Sequence, residues 1–374
     1  MNDRLSVEKS ERDNLAGFAC CSADSRGRKM QLDEHPLRTA FQRDRDRIIH
    51  STAFRRMEYK TQVFLPHEGD HYRTRLTHTI EVAQVARTMA RSLRLNEDLT
   101  EAVALAHDLG HTPFGHAGED MLDKLLASVG GFNHNRQSLR VIDILEQRYP
   151  EFDGLNLSYE VREGIAKHET KATIVTDEFH PDEQPTLEVA LVDVADEIAY
   201  NAADIDDGIK AGLISLDDVQ PLKIVAGCNL SGNFELMSPD QKRYYLARML
   251  VNRMASDTVE HTLSELQKLG ISTLASVRAA DQKPVGFSPD MSKQVAQLKA
   301  FLKERVYHHP HLLKMTKRAH EIVGILYERF DKDPSKMPER FRQMLTNEKK
   351  EIVLADYIAG MTDRFAEGLI DSPS

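Results

Sequence analysis

Apolar residues recur along most of the chain at spacings of three and four, whereas alternating apolar and polar stretches are scarce. That period is typical of helices that turn one face toward a core. The longest such segments are 76–95 and 187–207. The same pattern predicts further helices at 36–50, 96–109, 116–129, 135–148, 158–168, 239–269, 289–307, 311–330 and 348–368. The sequence therefore predicts an all-α protein.

The segments between these helices define the expected organisation. Residues 1–30 are polar and we expect them to be flexible. Loops are expected at 224–237 and 280–290, a break at 331–338, and short hairpins stay open near 171–178 or 275–287. The predicted division of the chain is a flexible segment 1–30, a catalytic helical core 31–215, and a helical C-terminal extension 216–374 packed on that core.

Composition excludes several classes of protein. The chain has 374 residues, of which 41% are hydrophobic and 29% charged, as in ordinary globular domains. A net charge of −10 argues against nonspecific nucleic-acid binding as the main role. We find no apolar run long enough for a membrane span, no signal-peptide core, and only three cysteines, so we expect a cytoplasmic protein without a membrane partner.

The stretch HDLGHTPFGHAGE at 107–119 carries the strongest chemical signal. Its ionisable side chains are His107, Asp108, His111, His116 and Glu119. Imidazole and carboxylate groups together suit divalent ions such as Mg, Mn, Fe, Co or Ni. Histidines beside a metal also serve as acid or base near neutral pH. A His-Asp pair alone is more often a core histidine beside a helix-ending acid, but the additional histidines favour metal-assisted hydrolysis.

The local pattern places this pair at the end of a helix. Asn96, followed by two acids, is a typical helix start, and Gly110 is a typical stop. His107 and Asp108 would then lie in the last turn. Adjacent residues on a helix point about 100° apart, so both reach one ion only at the edge of a groove.

Two other helices offer further ligands. His78 lies in the first turn of the 76–95 helix. Asp196, Tyr200 and Asp204 recur at steps of four and so share one face of the 187–207 helix. A carboxylate among so many apolar neighbours is costly to bury alone. A bound cation, an arginine partner or a solvated stripe would each compensate, and the residues alone leave these three open.

Six blocks of the chain together resemble one known family. They are RTAFQRDRDRIIHSTAFRRMEYKTQVF (38–64), TRLTHTIEVAQVAR (74–87), HDLGHTPFGHAGE (107–119), FNHNRQSLRV (132–141), ADEIAYNAADIDDGI (195–209) and DYIAGMTDRFA (356–366). In order and content they resemble the HD-domain deoxynucleoside triphosphate triphosphohydrolases, which include bacterial dGTPase-like proteins and their SAM-and-HD-domain relatives. The resemblance spans most of the chain and implies an HD-type helical core.

The resemblance implies a role for each matching residue. The implied metal ligands are His78, His107, Asp108 and Asp196. The implied catalytic cluster is His111, His116, Glu119 and His134. Arg75 would contact the phosphates, Gln62 the 3′-hydroxyl, and Tyr200 and Asp204 the deoxyribose. Where the SAM-and-HD-domain relatives have a lysine after the last metal ligand, this chain has Glu197. Another cation must then contact the phosphates, and we take Arg364 as the candidate.

The implied reaction is metal-dependent hydrolysis of dGTP, or of dNTPs generally, to deoxynucleoside and triphosphate. The family also implies a homo-oligomer and admits a regulatory nucleotide. Two alternatives stay open. One is another HD activity, such as a nucleotide 5′-phosphatase or a phosphodiesterase, and the other is a slow-turnover nucleotide sensor or nucleic-acid-binding partner. The native metal and the base preference are not determined by the sequence.

Residues 26–60 depart from the acidic average, with ten Lys or Arg against five Asp or Glu. We expect Arg45 to pair with acids on a solvated helix. The family match places the other basic residues either at substrate or at a subunit contact, which the sequence does not separate. These residues are Arg43, Arg47, Arg55, Arg56 and Lys60.

Two further histidine positions have competing interpretations. His168, at the end of a predicted helix, would either face the site or cap the helix, and we favour the cap. His308, His309 and His311 surround Pro310 without a carboxylate, so we interpret them as a surface turn.

Overall fold

The structure is a computed structural model that describes residues 3–63, 73–168, 177–228 and 234–371. These residues form eighteen α-helices and no β-strand, only isolated bridges, which confirms the all-α prediction. The first nine helices are α1 (Arg4–Asn14), α2 (Ala40–Ile49), α3 (Thr52–Arg56), α4 (Arg75–Ser92), α5 (Glu97–Ala106), α6 (Gly115–Leu125), α7 (His134–Arg140), α8 (Tyr159–Ala166) and α9 (Leu187–Lys210). The others are α10 (Leu216–Val219), α11 (Lys223–Ala226), α12 (Pro239–Lys268), α13 (Leu274–Arg278), α14 (Pro289–Leu302), α15 (Pro310–Lys332), α16 (Glu339–Met344), α17 (Lys350–Ala359) and α18 (Asp363–Asp371).

Helix α9 is central, since 18 of its 24 residues are buried and it packs against α4, α5 and α12. A helix that is mostly apolar all round needs neighbours on every side. Its start is fixed by Thr186, whose side chain accepts from the backbone N–H of Val189. Asn96 caps α5 as predicted, accepting from the N–H groups of Asp98 and Leu99. The three helices that carry the predicted metal ligands therefore pack together.

The buried apolar side chains form two cores. The larger one runs from the N-terminal region through α4, α5, α9, α12 and α14. The smaller one joins α6 to α15, α17 and α18. Leu109 belongs to the larger core and Phe114 to the smaller one, so the turn between α5 and α6 crosses from one to the other. Helices from both sides of residue 215 contribute to both cores, and the domain boundary at that residue stays a prediction.

The structure corrects the sequence at several elements. The N-terminal segment, expected to be flexible, contains α1, and the N–H of Arg4 donates to the carbonyl of Pro36 at 2.9 Å. The predicted 348–368 helix is two helices, broken at residues 360–362. The alternative of a hairpin at 275–287 is wrong, because α13 occupies the start of that segment. For the other alternative, a hairpin near 171–178, most of the segment lies outside the described residues.

The loop predicted at 224–237 contains most of α11, a four-residue helix whose Ile224 and Val225 are buried in the larger core. Residues 229–233 of that loop lie outside the described ranges. Among the described helices, none combines the length and apolarity needed to cross a lipid bilayer.

Candidate active site

A cavity of about 510 Å³ opens between α4, α6, α9 and α15. Its volume lies in the range of small-molecule sites. Ten of the thirteen residues assigned from sequence line it: Gln62, Arg75, His78, Asp108, His111, His116, His134, Asp196, Tyr200 and Asp204. His107 and Glu119 stand directly behind this wall and contact lining residues. Arg364 alone is not brought to the cavity.

The four predicted metal ligands converge at one side of the cavity. Nε2 of His78 lies 2.8 Å from Oδ1 of Asp196. Nε2 of His107 lies 3.5 Å from Oδ1 of Asp108 and 3.8 Å from Oδ1 of Asp196. His78, His107 and Asp108 are buried, and the side chain of Asp196 is 17% exposed toward the cavity. Residues from α4, the end of α5 and α9 therefore form one cluster.

His107 provides the test of whether a metal ion fits this cluster. Its Nδ1 lies 2.6 Å from the carbonyl of Ala104, which requires the ring to donate from Nδ1. Its Nε2 is buried, faces two carboxylates, and has no hydrogen-bond partner among the described residues. An imidazole oriented in this way, beside two carboxylates, is a typical ligand set for a divalent cation.

Electrostatics favours the charge states that a metal needs at three of these four residues. At His78 burial opposes protonation, but the hydrogen bond to Asp196 raises its pKa. Burial lowers the pKa of His107, which keeps the ring neutral. Burial alone would raise the pKa of Asp108, but the neighbouring His107 and Arg75 hold it well below its usual range. For Asp196 the opposing burial is likewise outweighed by the hydrogen bond from His78, and its pKa is lowered. Both carboxylates are therefore ionised.

The predicted catalytic residues form a second cluster that shares Asp108 with the first. Nε2 of His111 lies 3.1 Å from Oδ1 of Asp108. The ring of His111 stacks on that of His134, with centroids 3.9 Å apart. Nδ1 of His134 lies 2.9 Å from Oε1 of Glu119. Asp108 thus contacts His107, a predicted metal ligand, on one side and His111, a predicted catalytic residue, on the other.

Glu119 lies among three imidazoles. Its Oε2 is 3.8 Å from Nδ1 of His111 and 3.7 Å from Nδ1 of His116. Burial opposes ionisation of Glu119, but hydrogen bonds from His116 and His134 lower its pKa. Burial, with Arg75 nearby, holds the pKa of His111 well below its usual range. The side chain of His116 is 73% exposed, whereas His111 is buried and stays neutral.

The turn that presents these histidines depends on close packing. A Cβ on Gly110 would lie 2.6 Å from the backbone carbon of Gln137 on α7, so only glycine fits there. The N–H of Gly110 donates to the hydroxyl of Ser138 at 2.8 Å. Phe114 and Gly115 both have positive φ, at 61° and 57°. Gly110 was predicted as a helix stop, but α5 already ends at Ala106 and the glycine serves the approach of α7.

Arg75 connects the clusters to the open cavity. Its NH1 donates to Oδ2 of Asp108 at 2.9 Å. Its Nε and NH2 are buried without hydrogen-bond partners among the described residues. A guanidinium with two unused donors beside an acid cluster is suited to an anionic oxygen.

Tyr200 and Asp204 follow Asp196 along the same face of α9, as predicted. The hydroxyl of Tyr307 donates to Oδ2 of Asp204. Burial raises the pKa of Asp204 to about 6 even though this hydrogen bond opposes the shift. Gln62 also lines the cavity, and its buried Oε1 has no partner among the described residues. The cavity therefore contains polar groups away from the metal-ligand cluster.

Arg364 is the assignment that the structure corrects. It lies on α18 and lines a separate depression with Tyr59 and Phe365. Arg318, on α15, does line the cavity. Glu197, which replaces the expected lysine, forms an ion pair of 2.9 Å with Lys299 on α14. Arg364 lies outside the cavity because of the direction in which α18 leaves the preceding break. Residue spacing does not reveal that direction.

His168 is a site residue that we had interpreted as a helix cap. It lines the cavity, and its ring lies 5.3 Å from that of His107. Its Nδ1 is 2.6 Å from Oδ1 of Asp193, and its Nε2 is 4.0 Å from Oδ2 of Asp196. The cap interpretation is therefore wrong. The spacing of Asp193 and Asp196, one helical turn apart, was the available signal.

The sequence also missed the cavity wall supplied by the C-terminal helices. It comprises Tyr307, Leu312, Met315, Thr316, Arg318, Ala319, Ile322 and Glu367. The apolar members belong to an ordinary amphipathic helix pattern, so no sequence signal marked them. His308 and His309 form the turn before α15, as predicted, and His309 caps that helix.

Several basic residues of 26–60 bind the protein itself. Arg45 pairs with Asp98 at 2.7 Å and Glu101 at 3.0 Å on α5 and lies 3.9 Å from Asp46 on its own helix, so the expected pairing with acids is confirmed. Arg47 donates to the carbonyl of Leu155 at 2.9 Å. Lys60 donates to the carbonyl of His111 at 2.5 Å. Arg47 and Lys60 therefore hold backbone carbonyls of the protein.

Comparison with known proteins agrees with this geometry. Residues 75–201 match the HD domain, and residues 285–371 match the phosphohydrolase-associated domain. The chain is 46% identical over 371 residues to a deoxyguanosinetriphosphate triphosphohydrolase-like protein of Geobacter metallireducens, covering 98% of this chain and 96% of the relative. It is 48% identical over 361 residues to the protein of the same name from Thiobacillus denitrificans, covering 94% and 95%. The chain belongs to the HD-domain phosphohydrolases, in the family of deoxyguanosinetriphosphate triphosphohydrolase-like proteins.

Proposed function

We propose that this protein hydrolyses deoxynucleoside triphosphates at the α-phosphorus, with a divalent metal, releasing the deoxynucleoside and intact triphosphate. The observation that carries the proposal is the shared carboxylate Asp108, which contacts His107 and His111 in the same cavity wall. A metal bound at His107 and Asp108 would lie beside the histidine cluster that supplies the proton, so both would act on the same phosphate. The names of the relatives, which refer to deoxyguanosine triphosphate, support the substrate class.

The spacing along α9 fits the dimensions of a nucleotide. Tyr200 and Asp204 lie one and two turns beyond Asp196, which is about 6 and 12 Å along the helix. A deoxyribose whose α-phosphate lies beside Asp196 therefore meets these two residues. Gln62 supplies a further buried hydrogen-bonding group for a sugar hydroxyl.

His78, His107, Asp108 and Asp196 would hold the metal. When bound, a divalent ion polarises a phosphate oxygen and lowers the pKa of water. Arg75 holds a phosphate oxygen with the guanidinium donors that Asp108 does not use. Arg318, rather than Arg364, supplies the second arginine contact, because it lines the cavity.

Proton transfer falls to the histidine cluster. The oxygen of water bonds to the α-phosphorus and gives up a proton to solvent, the bond from phosphorus to the 5′-oxygen breaks, and that oxygen takes up a proton from a donor. We assign the donor to His116, since it is exposed to the cavity and has the ionised Glu119 beside it. His111 is buried and held neutral, with its Nε2 at 3.1 Å from Asp108 and its ring stacked on His134, so it holds these two residues in place.

Product analysis with purified protein tests the proposal. Each dNTP is incubated with Mg, Mn, Fe, Co or Ni, and products are separated by chromatography. Equal amounts of deoxynucleoside and triphosphate are expected. Orthophosphate would instead indicate a 5′-phosphatase, and tight binding without product across all metals would indicate a nucleotide sensor.

We also propose that the protein forms a homo-oligomer, as the family resemblance implies. Light scattering on the purified chain, with and without dNTPs, measures its mass. A monomer under both conditions contradicts this part of the proposal.

A further inference from the structure

Two buried carboxylates in the C-terminal block DYIAGMTDRFA contact the two segments that carry catalytic histidines. The first is Asp356 on α17. It accepts from Nε2 of Gln137 at 3.0 Å and from Nε and NH2 of Arg140 at 2.9 and 2.6 Å. Both donors lie on α7, the helix that begins at His134. Through Asp356, the C-terminal block therefore holds α7, the helix that carries His134 of the histidine cluster.

The second carboxylate is Asp363, at the start of α18, which is 3% exposed. Its Oδ1 accepts from the N–H of Phe114 at 2.8 Å. Its Oδ2 accepts from the N–H of Thr61 at 2.8 Å and from the hydroxyl of the same residue. Phe114 lies between His111 and His116 in the turn before α6. One buried side chain thus joins the histidine turn to the segment that leads to the cavity.

Lys60 adds a third connection at the same place. Its Nζ donates to the carbonyl of His111 at 2.5 Å and to the carbonyl of Ala359, at the end of α17, at 2.8 Å. Its own carbonyl accepts from the N–H of Arg75 at 3.1 Å. The backbone of the histidine turn is therefore held at His111 and at Phe114.

Asp363 itself does not line the cavity, whereas both ends of the turn that it holds do. We infer that Asp363 is a positioning residue, which sets where His111 and His116 stand relative to Asp108. Its neighbour Arg364 lines a separate depression outside the cavity, so the family-like block contributes through its aspartate and not through its arginine. The kinetic part of this inference rests on the proposed function; the structural part does not.

The substitution Asp363→Asn isolates this role. An asparagine side chain has about the same shape as aspartate, but it has only one acceptor oxygen, and its NH2 group donates. The variant side chain can therefore accept from the N–H of Phe114 or from that of Thr61, and not from both. Asp331→Asn is the matched control, because Asp331 lies in the same part of the chain and forms an exposed ion pair of 2.7 Å with Lys350.

Hydrogen exchange and kinetics are then measured on the full chain. Exchange at the amides of Phe114 and Thr61, followed in peptides that span each of them, is expected to be faster at one of the two in Asp363→Asn and unchanged at both in Asp331→Asn. The kcat for dNTP hydrolysis, divided by the number of sites that bind a non-hydrolysable dNTP analogue, is expected to fall by about 10- to 100-fold, as for small misplacements of catalytic groups. The dissociation constant of that analogue should change less than about threefold, because affinity and geometry are affected separately.

A general loss of folding is distinguished by a second pair of variants. Thr61→Val removes only the hydroxyl donor to Asp363, and Thr61→Ser retains it. Faster exchange at Phe114 in the valine variant, but not in the serine variant, is expected. Unchanged exchange in both Asp363→Asn and Thr61→Val would overturn the inference, as would a kcat per site equal to that of the unsubstituted protein. If the unsubstituted protein releases no triphosphate, the proposed function fails, and the exchange result still decides the role of Asp363.

Discussion

The hydroxyl of Tyr307 donates a hydrogen bond to Oδ2 of Asp204, joining the segment before α15 to the cavity-facing side of α9. Tyr307 lies in the segment that matches the phosphohydrolase-associated domain, and Asp204 lies on α9, three residues after the segment that matches the HD domain. The bond stabilises the ionised form of Asp204 against the cost of burial. The state of this carboxylate therefore depends on both parts of the chain.

This pair predicts a pH dependence for substrate binding. A sugar hydroxyl needs an ionised Asp204 as acceptor, and burial raises its pKa to about 6. As pH falls through that value the carboxylate becomes protonated, so KM should rise below about pH 6. In Tyr307→Phe the pKa of Asp204 should be higher, and the rise in KM should begin at higher pH. Profiles of kcat/KM at saturating metal measure this; coincident profiles would contradict it.

Asp196→Ala should remove metal and turnover together. The carboxylate is one of two that face the buried Nε2 of His107, and a cluster with one carboxylate binds a divalent ion less well. Metal content by elemental analysis should fall to background, with no measurable triphosphate release. Glu197→Gln, one residue away and paired with Lys299, should keep its metal. Full metal occupancy in Asp196→Ala would show that Asp196 is not a metal ligand.

His116→Asn should slow the chemical step without loss of metal. Removal of a general acid typically costs about 10²- to 10⁴-fold in rate. Because His116 is exposed, thermal unfolding should change little. His111→Ala should also keep its metal while slowing the reaction, but should lower the unfolding temperature, since His111 is buried against His134. A normal kcat in His116→Asn, measured at saturating substrate, would show that another group donates the proton.

Arg318→Gln should raise KM for dNTPs by about 10-fold, the usual effect of losing one charge-assisted hydrogen bond. Arg364→Gln should have little effect, because Arg364 lies outside the cavity. Steady-state kinetics on the two variants side by side tests the assignment. A larger effect for Arg364→Gln would favour the assignment made from sequence.

Residue type and helical spacing predicted part of the cluster of His78, His107, Asp108 and Asp196, and the family resemblance supplied the rest. His107 and Asp108 are adjacent, and Asp196 lies on an apolar helix where an unpaired carboxylate is costly. Bringing His78 to them required the family resemblance, and the structure places all four together. The period of the apolar residues predicted the all-α fold class, and the family resemblance implied the HD-type core.

The sequence did not predict contacts that depend on how helices leave their turns. The break at residues 360–362 sends Asp363 toward the histidine turn and Arg364 away from the cavity. Adjacent positions on a helix point in different directions, and the spacing does not say which one faces inward. His168 was misassigned for a related reason, because its partner Asp193 lies on a distant helix.

The turn from Leu109 to Phe114 begins in one apolar core and ends in the other. The turn is only a few residues long, so its two ends cannot move independently. A displacement of α15, α17 and α18 against the rest of the molecule therefore changes the distance between Asp108 and His116 directly. The packing of the smaller core against the larger one therefore sets where the histidine turn lies relative to Asp108.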